Sequence, residues 1–99
     1  MPAKPKLDPE IVNVELAKLD GWELIEDGGA IFRKFKFDDF KEAFAFMTKI
    51  ADVAEAIDHH PDWFNVYNRV EVKLSTHDVK GLTELDFELA RAMDREFAK

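Results

Sequence analysis

Three features of the sequence predict an α+β fold: a single two-layer domain, α-β-β-α-β-β-α, with a four-stranded antiparallel sheet and helices packed on one face. Two segments alternate apolar and polar residues around turn formers, as hairpins do. Three others repeat apolar residues at helical spacing behind capping residues. The chain has 99 residues, the length of one domain, with no repeat, low-complexity tract or dividing linker.

The elements follow in order. Residues 1–6 of "MPAKPKLDPE" read as a short mobile tail and residues 7–99 as the domain. Asp8 as N-cap and Pro9 at the first helical position start a helix. Ile11, Val12, Leu16 and Leu19 form its stripe, and Gly21 is placed to stop it. Trp22 to Glu26 and Ala30 to Phe37 flank the turn formers Asp27-Gly28-Gly29. In the second arm Arg33, Phe35 and Phe37 alternate with Lys34 and Lys36, as in a half-buried strand.

Asp39 and Glu42 have capping-box spacing, and they open a long helix from Phe40 to Ile57. A second hairpin pairs Phe64–Tyr67 with Val70–Ser75 and turns at Asn68-Arg69. "THDVKGL" is a loop, after which Thr83 and Asp86 signal the last helix, apolar at Leu85, Leu89, Ala90, Met93 and Phe97. The long helix has more apolar surface than one core-facing stripe needs. Phe40, Phe44, Met47, Ala51 and Ala54 trace one stripe, and Phe46, Ile50, Val53 and Ile57 an adjoining one. One sheet face does not readily cover both, so a homodimer or homotetramer with this helix at the interface is expected. Deep burial in its own domain is the plainer alternative.

Composition excludes several classes. The net charge of −7 argues against general nucleic-acid binding, which needs cations to displace counterions, and against docking on anionic lipid. No apolar run approaches the ~20 residues that cross a bilayer, and the start has no apolar core of a signal peptide. A cytoplasmic protein is expected. Cysteine is absent, so there is no disulfide, thiolate nucleophile or Cys-ligated metal.

The chemistry concentrates in "AIDHHPDWFNVYNRVEVKLSTHD", which holds all 3 histidines: His59, His60 and His77. Histidine is the side chain whose unperturbed pKa, ~6.5, suits both giving and taking protons near neutrality. Pro61 biases His60 away from helical angles, so His59 belongs to the helix end and His60 to the outgoing loop. His77 stands at a strand exit. A site between a helix C-terminus and a strand exit is structurally sensible. Carboxylates surround it in sequence: Glu55, Asp58, Asp62, Asp78 and Asp86. Glu55 lies four residues before His59 and can share its helix face.

Each residue also has a plainer reading. Isolated histidines are usually surface or polar-core residues. Asp86 serves as a capping partner, Glu55 as a solvated helix residue, and Trp63 and Phe64 as core. A metal site is the competing chemistry, but the spacing contains no His-x-x-x-His and no zincin pattern. Ser75 and Thr76 lie beside His77, without the elbow motif of a nucleophilic serine.

"EAIDHHPDWFNVYNRVEVKLSTHDVKGLTELD" closely resembles the pterin-4a-carbinolamine dehydratase family. Glu55, His59, His60, Pro61, Trp63, Asn65, Tyr67, Thr76, His77, Gly81, Leu82, Thr83 and Asp86 match its pattern without gaps. A weaker likeness runs from Gly21-Trp22 to about Phe97. The resemblance implies a hydro-lyase that dehydrates 4a-hydroxytetrahydropterin to quinonoid dihydropterin, recycling the pterin used by an aromatic amino acid hydroxylase. It implies no metal and no organic cofactor, the pterin being substrate. It also implies that His59 and His77 form the acid/base pair, that His60 mainly holds substrate, and that Glu55 and Asp86 orient or tune them. Asp58, Pro61, Trp63, Ser75 and Thr76 complete the expected substrate-binding or orienting set. Alanine at His59 or His77 is expected to slow turnover with the fold intact. Family members form tetramers through helices. Some animal members serve as dimerisation cofactors of a homeodomain transcription factor, which gives a protein-binding role as the alternative function.

Overall fold

The computed structural model describes residues 4–99. The order is the predicted one: α1 (Pro9–Ala17), β1 (Glu23–Ile25), β2 (Ala30–Lys36), α2 (Phe40–Ala56), β3 (Asp62–Val66), β4 (Arg69–Leu74) and α3 (Glu84–Phe97). Short 3₁₀ turns at Glu26–Gly28 and His77–Val79 sit after β1 and β4. The strands form one antiparallel sheet in the order β1-β2-β4-β3. Of the expected tail, residues 1–3 lie outside the described residues. Lys4 to Lys6 are exposed, and Leu7 N–H donates to the Leu82 carbonyl.

Alternation puts one set of side chains on the helix side. Ile31 pairs with Leu74 and Phe35 with Val70, and all four are buried. Phe46 and Ile50 of α2 and Phe87, Leu89 and Met93 of α3 join them in the core. Opposite-facing residues such as Lys34 and Lys36 are exposed. Arg33 shares the inward register of Phe35 and is satisfied there. Its guanidinium meets Asp94 of α3 at 2.7 Å, donates to the Asp20 carbonyl, and lies 4.5 Å over the Phe35 ring. Trp22, expected in the first strand, precedes it instead and donates its Nε1–H to the same Asp94 at 2.8 Å.

Several boundaries differ from the sequence reading. Helix α1 ends at Ala17, well before Gly21, because the N–H groups of Lys18 and Leu19 fold back onto the carbonyls of Glu15 and Leu16. Asp39 caps α2 by accepting from Glu42 N–H, but Glu42 reaches back to Asp38 N–H, so the box is not closed on Asp39. The second hairpin turns at Tyr67-Asn68, one residue earlier than expected, since Val66 pairs with Arg69. This forces Tyr67 to φ 50°, a costly angle for a bulky residue. Asn65 compensates, its amide donating to the carbonyls of both Tyr67 and Arg69. Asn68 fixes the turn to the end of β2 through two bonds with Phe37.

The two stripes of α2 divide between core and surface, except that Ala54, placed in the stripe of Phe40 and Phe44, is buried. Phe46 and Ile50 are core, with Val53 and Ile57 packed against it. The outward stripe is Phe40, Phe44 and Ala51, with Met47 half-buried beside it. Phe40 is 46 % and Phe44 54 % exposed, and their rings lie 5.7 Å apart. A charge at Phe46 or Ile50 would therefore strike the core rather than an interface.

The end of α2 aims the histidines. His59 N–H bonds to the Ala54 carbonyl at 3.0 Å and Asp58 N–H to that of Glu55 at 3.3 Å, the paired bonds of a Schellman stop. The position that usually takes glycine is Asp58, at φ 53°. An L-residue pays roughly 1–2 kcal/mol for that conformation, somewhat less for aspartate. Asp58→Gly is expected to raise stability by about 1 kcal/mol in chemical denaturation. A loss of stability would mean that the Asp58 carboxylate holds something that glycine cannot.

Candidate active site

The reversal at Asp58 sends consecutive histidines to different environments. His59 turns inward and is buried, whereas His60 stays exposed. From here the chain enters β3 antiparallel to β4, with Asp62 opposite Lys73 and Trp63 opposite Val72. The stretch before β3 and the stretch after β4 thus flank one end of the sheet. The first holds His59, His60 and Pro61, the second Ser75, Thr76 and His77.

Asp86 joins the two stretches. It is the third residue of α3, fully buried, and half of a closed capping box with Thr83. One carboxylate oxygen, Oδ2, accepts from Thr83 N–H at 3.0 Å and from the Thr76 hydroxyl at 2.7 Å. The other, Oδ1, meets His59 Nε2 at 2.6 Å. The Thr76 and Thr83 hydroxyls are 2.9 Å apart. An uncompensated buried carboxylate would be very costly, so the donors are a condition of its being there. No buried side-chain nitrogen or oxygen among the described residues lacks a partner.

Glu55 has a different partner from the one its spacing suggested. It meets His60 Nε2, at 2.7 Å, rather than His59. The Schellman turn carries His59 off the helix face that Glu55 occupies. Side chains of this second pair are 58 % and 78 % exposed, so it orients His60 with little energy at stake.

His77 opens the 3₁₀ turn directly after Thr76 and is exposed. Its loop is closed beneath it by Thr76 N–H to the Gly81 carbonyl, at 2.7 Å. Lys80, at φ 53°, turns the chain back toward Gly81. Pro61, Trp63 and Ser75 are half-buried near the ends of β3 and β4, and Asp58 is exposed on the turn. Among the described residues no three His, Asp or Glu side chains are grouped to hold a metal ion. From sequence, Thr83 is a helix cap and a position of the family pattern, with no place in the expected site. Its closeness to Thr76 depends on the loop closing, which residue types do not reveal.

The structure attaches a stability cost to one of the expected substitutions. His59 supplies a donor to buried Asp86, so His59→Ala would leave that oxygen short and cost about 1–3 kcal/mol. Glutamine, which retains an N–H donor, is the better substitute.

Comparisons with known proteins give the family. The family model for pterin 4 alpha carbinolamine dehydratase matches residues 5–96. A protein of Sinorhizobium medicae (strain WSM419), named "Putative pterin-4-alpha-carbinolamine dehydratase", is 58 % identical over 91 % of this chain and 86 % of its own. One of the same name from Chelativorans sp. (strain BNC1) is 54 % identical over 98 % of this chain and 99 % of its own. The crystal structure of a transcriptional coactivator/pterin dehydratase from Brucella melitensis superposes with a TM-score of 0.90 at 49 % identity, covering 93 % of this chain and 98 % of that one. A pterin dehydratase-like RuBisCO assembly factor of the alpha-carboxysome shares the fold, with a TM-score of 0.69 at 18 % identity over 81 % and 93 % of the two chains. With nearly its whole length matched by the family model and by relatives of over half identity, the chain belongs to the pterin-4-alpha-carbinolamine dehydratase family.

Proposed function

We propose that the protein dehydrates 4a-hydroxytetrahydropterin to quinonoid dihydropterin, recycling the pterin oxidised by an aromatic amino acid hydroxylase. The observation that carries this reading is the His59–Asp86 pair, tied through Thr76 to the loop of His77. Hydroxide leaves poorly, so the C4a oxygen takes a proton as its bond to carbon breaks and departs as water. The N5 lone pair replaces that bond with an N5–C4a double bond. A base then removes the N5 proton from the cationic ring, which gives the neutral product. His59 and His77 supply the acid and the base, a contribution typically worth ~10²–10⁴-fold. His60, held by Glu55 at the rim, binds substrate. Asp58, Pro61, Trp63 and Ser75 border the same place, and no metal or organic cofactor enters the reaction.

Ultraviolet-monitored dehydration of freshly made substrate is the direct test. His59→Gln and His77→Ala are each expected to lower turnover by ~10²–10⁴-fold, equivalent to about 3–5 kcal/mol of barrier, with the folded spectrum retained. Wild-type rates in both variants would refute the assignment. His60→Ala is expected to raise KM more than it lowers kcat. A large fall in kcat at constant KM would instead mark His60 as an actor in the transition state.

A second reading concerns association, and the Phe40–Phe44 stripe favours it. Large apolar side chains left in water forgo roughly 1.5–3 kcal/mol each relative to burial, and soluble monomers rarely keep such patches. The proposed occupant is a second copy of the chain, in a dimer or tetramer; a different protein partner is the alternative, as for a dimerisation cofactor. Sedimentation is expected to give a mass well above 11.4 kDa for the wild type and a lower one for Phe44→Glu, with folding retained because Phe44 lies outside the core. A wild-type monomer at micromolar concentration would overturn self-association and leave the stripe to another protein.

A further inference from the structure

We infer that the Thr83 and Thr76 hydroxyls are positioning residues that hold His59 in a single neutral tautomer, with the proton on Nε2 and Nδ1 as its only proton-accepting atom. The inference rests on the dehydratase reading for its catalytic meaning and on hydrogen-bond directions for its structure. Those directions follow from counting protons. Leu85 N–H donates to Thr83 Oγ1, at 3.2 Å, so that oxygen already accepts one bond. A carboxylate only accepts, and Thr76 Oγ1 is 2.7 Å from Asp86 Oδ2, so the single Thr76 proton points at Asp86. The bond between the two hydroxyls, 2.9 Å long, must then use the proton of Thr83. The order is Leu85 N–H to Thr83, Thr83 to Thr76, and Thr76 to Asp86, each hydroxyl accepting one bond and giving the next. Such chains polarise their members in the same sense.

With Oδ2 occupied by Thr76 and by Thr83 N–H, Oδ1 is left to His59 Nε2 at 2.6 Å. Nε2 therefore carries hydrogen in the neutral ring. Nδ1 has no partner among the described residues, and because no buried side-chain nitrogen among them is unpaired, it opens to the surface. Substrate would meet His59 at Nδ1. A proton shared with substrate passes there, while Nε2 stays fixed on Asp86.

The test is a long-range ¹H–¹⁵N correlation spectrum of the ¹⁵N-labelled full chain, at a pH where the His59 ring is neutral. It is paired with kcat and KM for wild type, Thr76→Val and Thr76→Ser. The wild type is expected to show His59 purely as the Nε2–H form. Thr76→Val keeps the side-chain volume and removes the donor. It removes one of the two bonds on Oδ2, which frees the Asp86 carboxylate to rotate off the His59 ring. The variant is therefore expected to show a mixture of tautomers and to lose kcat by about 10-fold, the low end for partners that orient a metal-bound imidazole. Thr76→Ser is expected to restore both readouts. A wild-type ring in the Nδ1–H form would overturn the inference whatever the activity. So would Thr76→Val with a pure Nε2–H ring and unchanged kcat. If Thr76→Val fails to fold, the wild-type spectrum still decides. A wild type with the stated tautomer and no pterin turnover would support the positioning of the ring and refute the dehydratase reading instead.

Discussion

A carboxylate taken out of water needs a donor for nearly every lone pair, and Asp86 is fully buried. Three chain segments meet that demand. The start of α3 gives Thr83 N–H, the loop after β4 gives the Thr76 hydroxyl, and the chain leaving α2 gives the His59 ring. His59 lies 27 residues from Asp86, whereas Thr76 and Thr83 approach it from within 10 residues on its N-terminal side. The carboxylate is what makes their meeting obligatory. A residue that looks like a routine helix cap is thus also the junction on which the site is assembled.

Order around this junction is graded. His59 is buried and bonded, His60 is exposed and bonded to an exposed partner, and His77 is exposed on a closed loop. The gradient suits the chemistry. In the proposed dehydration the ring that keeps one orientation is the buried one, and the ring assigned to arriving substrate is an exposed one, free to adjust. Backbone bonds restrain the His77 loop from two sides, through Thr76 with Gly81 and Leu7 with Leu82. Motion at His77 is therefore motion of a side chain on a fixed base.

The sequence was most legible where local chemistry and burial agree. Thr83 and Asp86 announced a capping box, and the box is closed. Alternation of Arg33, Phe35 and Phe37 announced an inward face, and Phe35 lies at its centre. Legibility failed where tertiary bonds override local preference. Tyr67 accepts a positive φ because Asn65 and Asn68 hold the turn, which no propensity for tyrosine foretells. Glu55 and His59 have ideal helical spacing, yet Asp58 ends the helix between them by adopting a conformation usually left to glycine. On α2, composition revealed an excess of apolar surface. It could not say which stripe faces out, because the phase of a helix is set by what it packs against.

The inward-facing arginine has a consequence for how the sheet finds its alignment. Sliding β2 past β4 by two residues would preserve every inside and outside assignment, so hydrophobic patterning alone does not forbid it. Such a slip would carry Arg33 away from Asp94 and leave the two charges unpaired in a partly buried place, where Asp94 keeps only uncharged donors such as Asp20 N–H. Removing one partner of a buried ion pair typically costs ~3–5 kcal/mol, more than most single apolar contacts return. The Arg33–Asp94 pair therefore acts as a key that only one alignment of the strands can turn, discriminating between arrangements that oil-like burial would treat as equals.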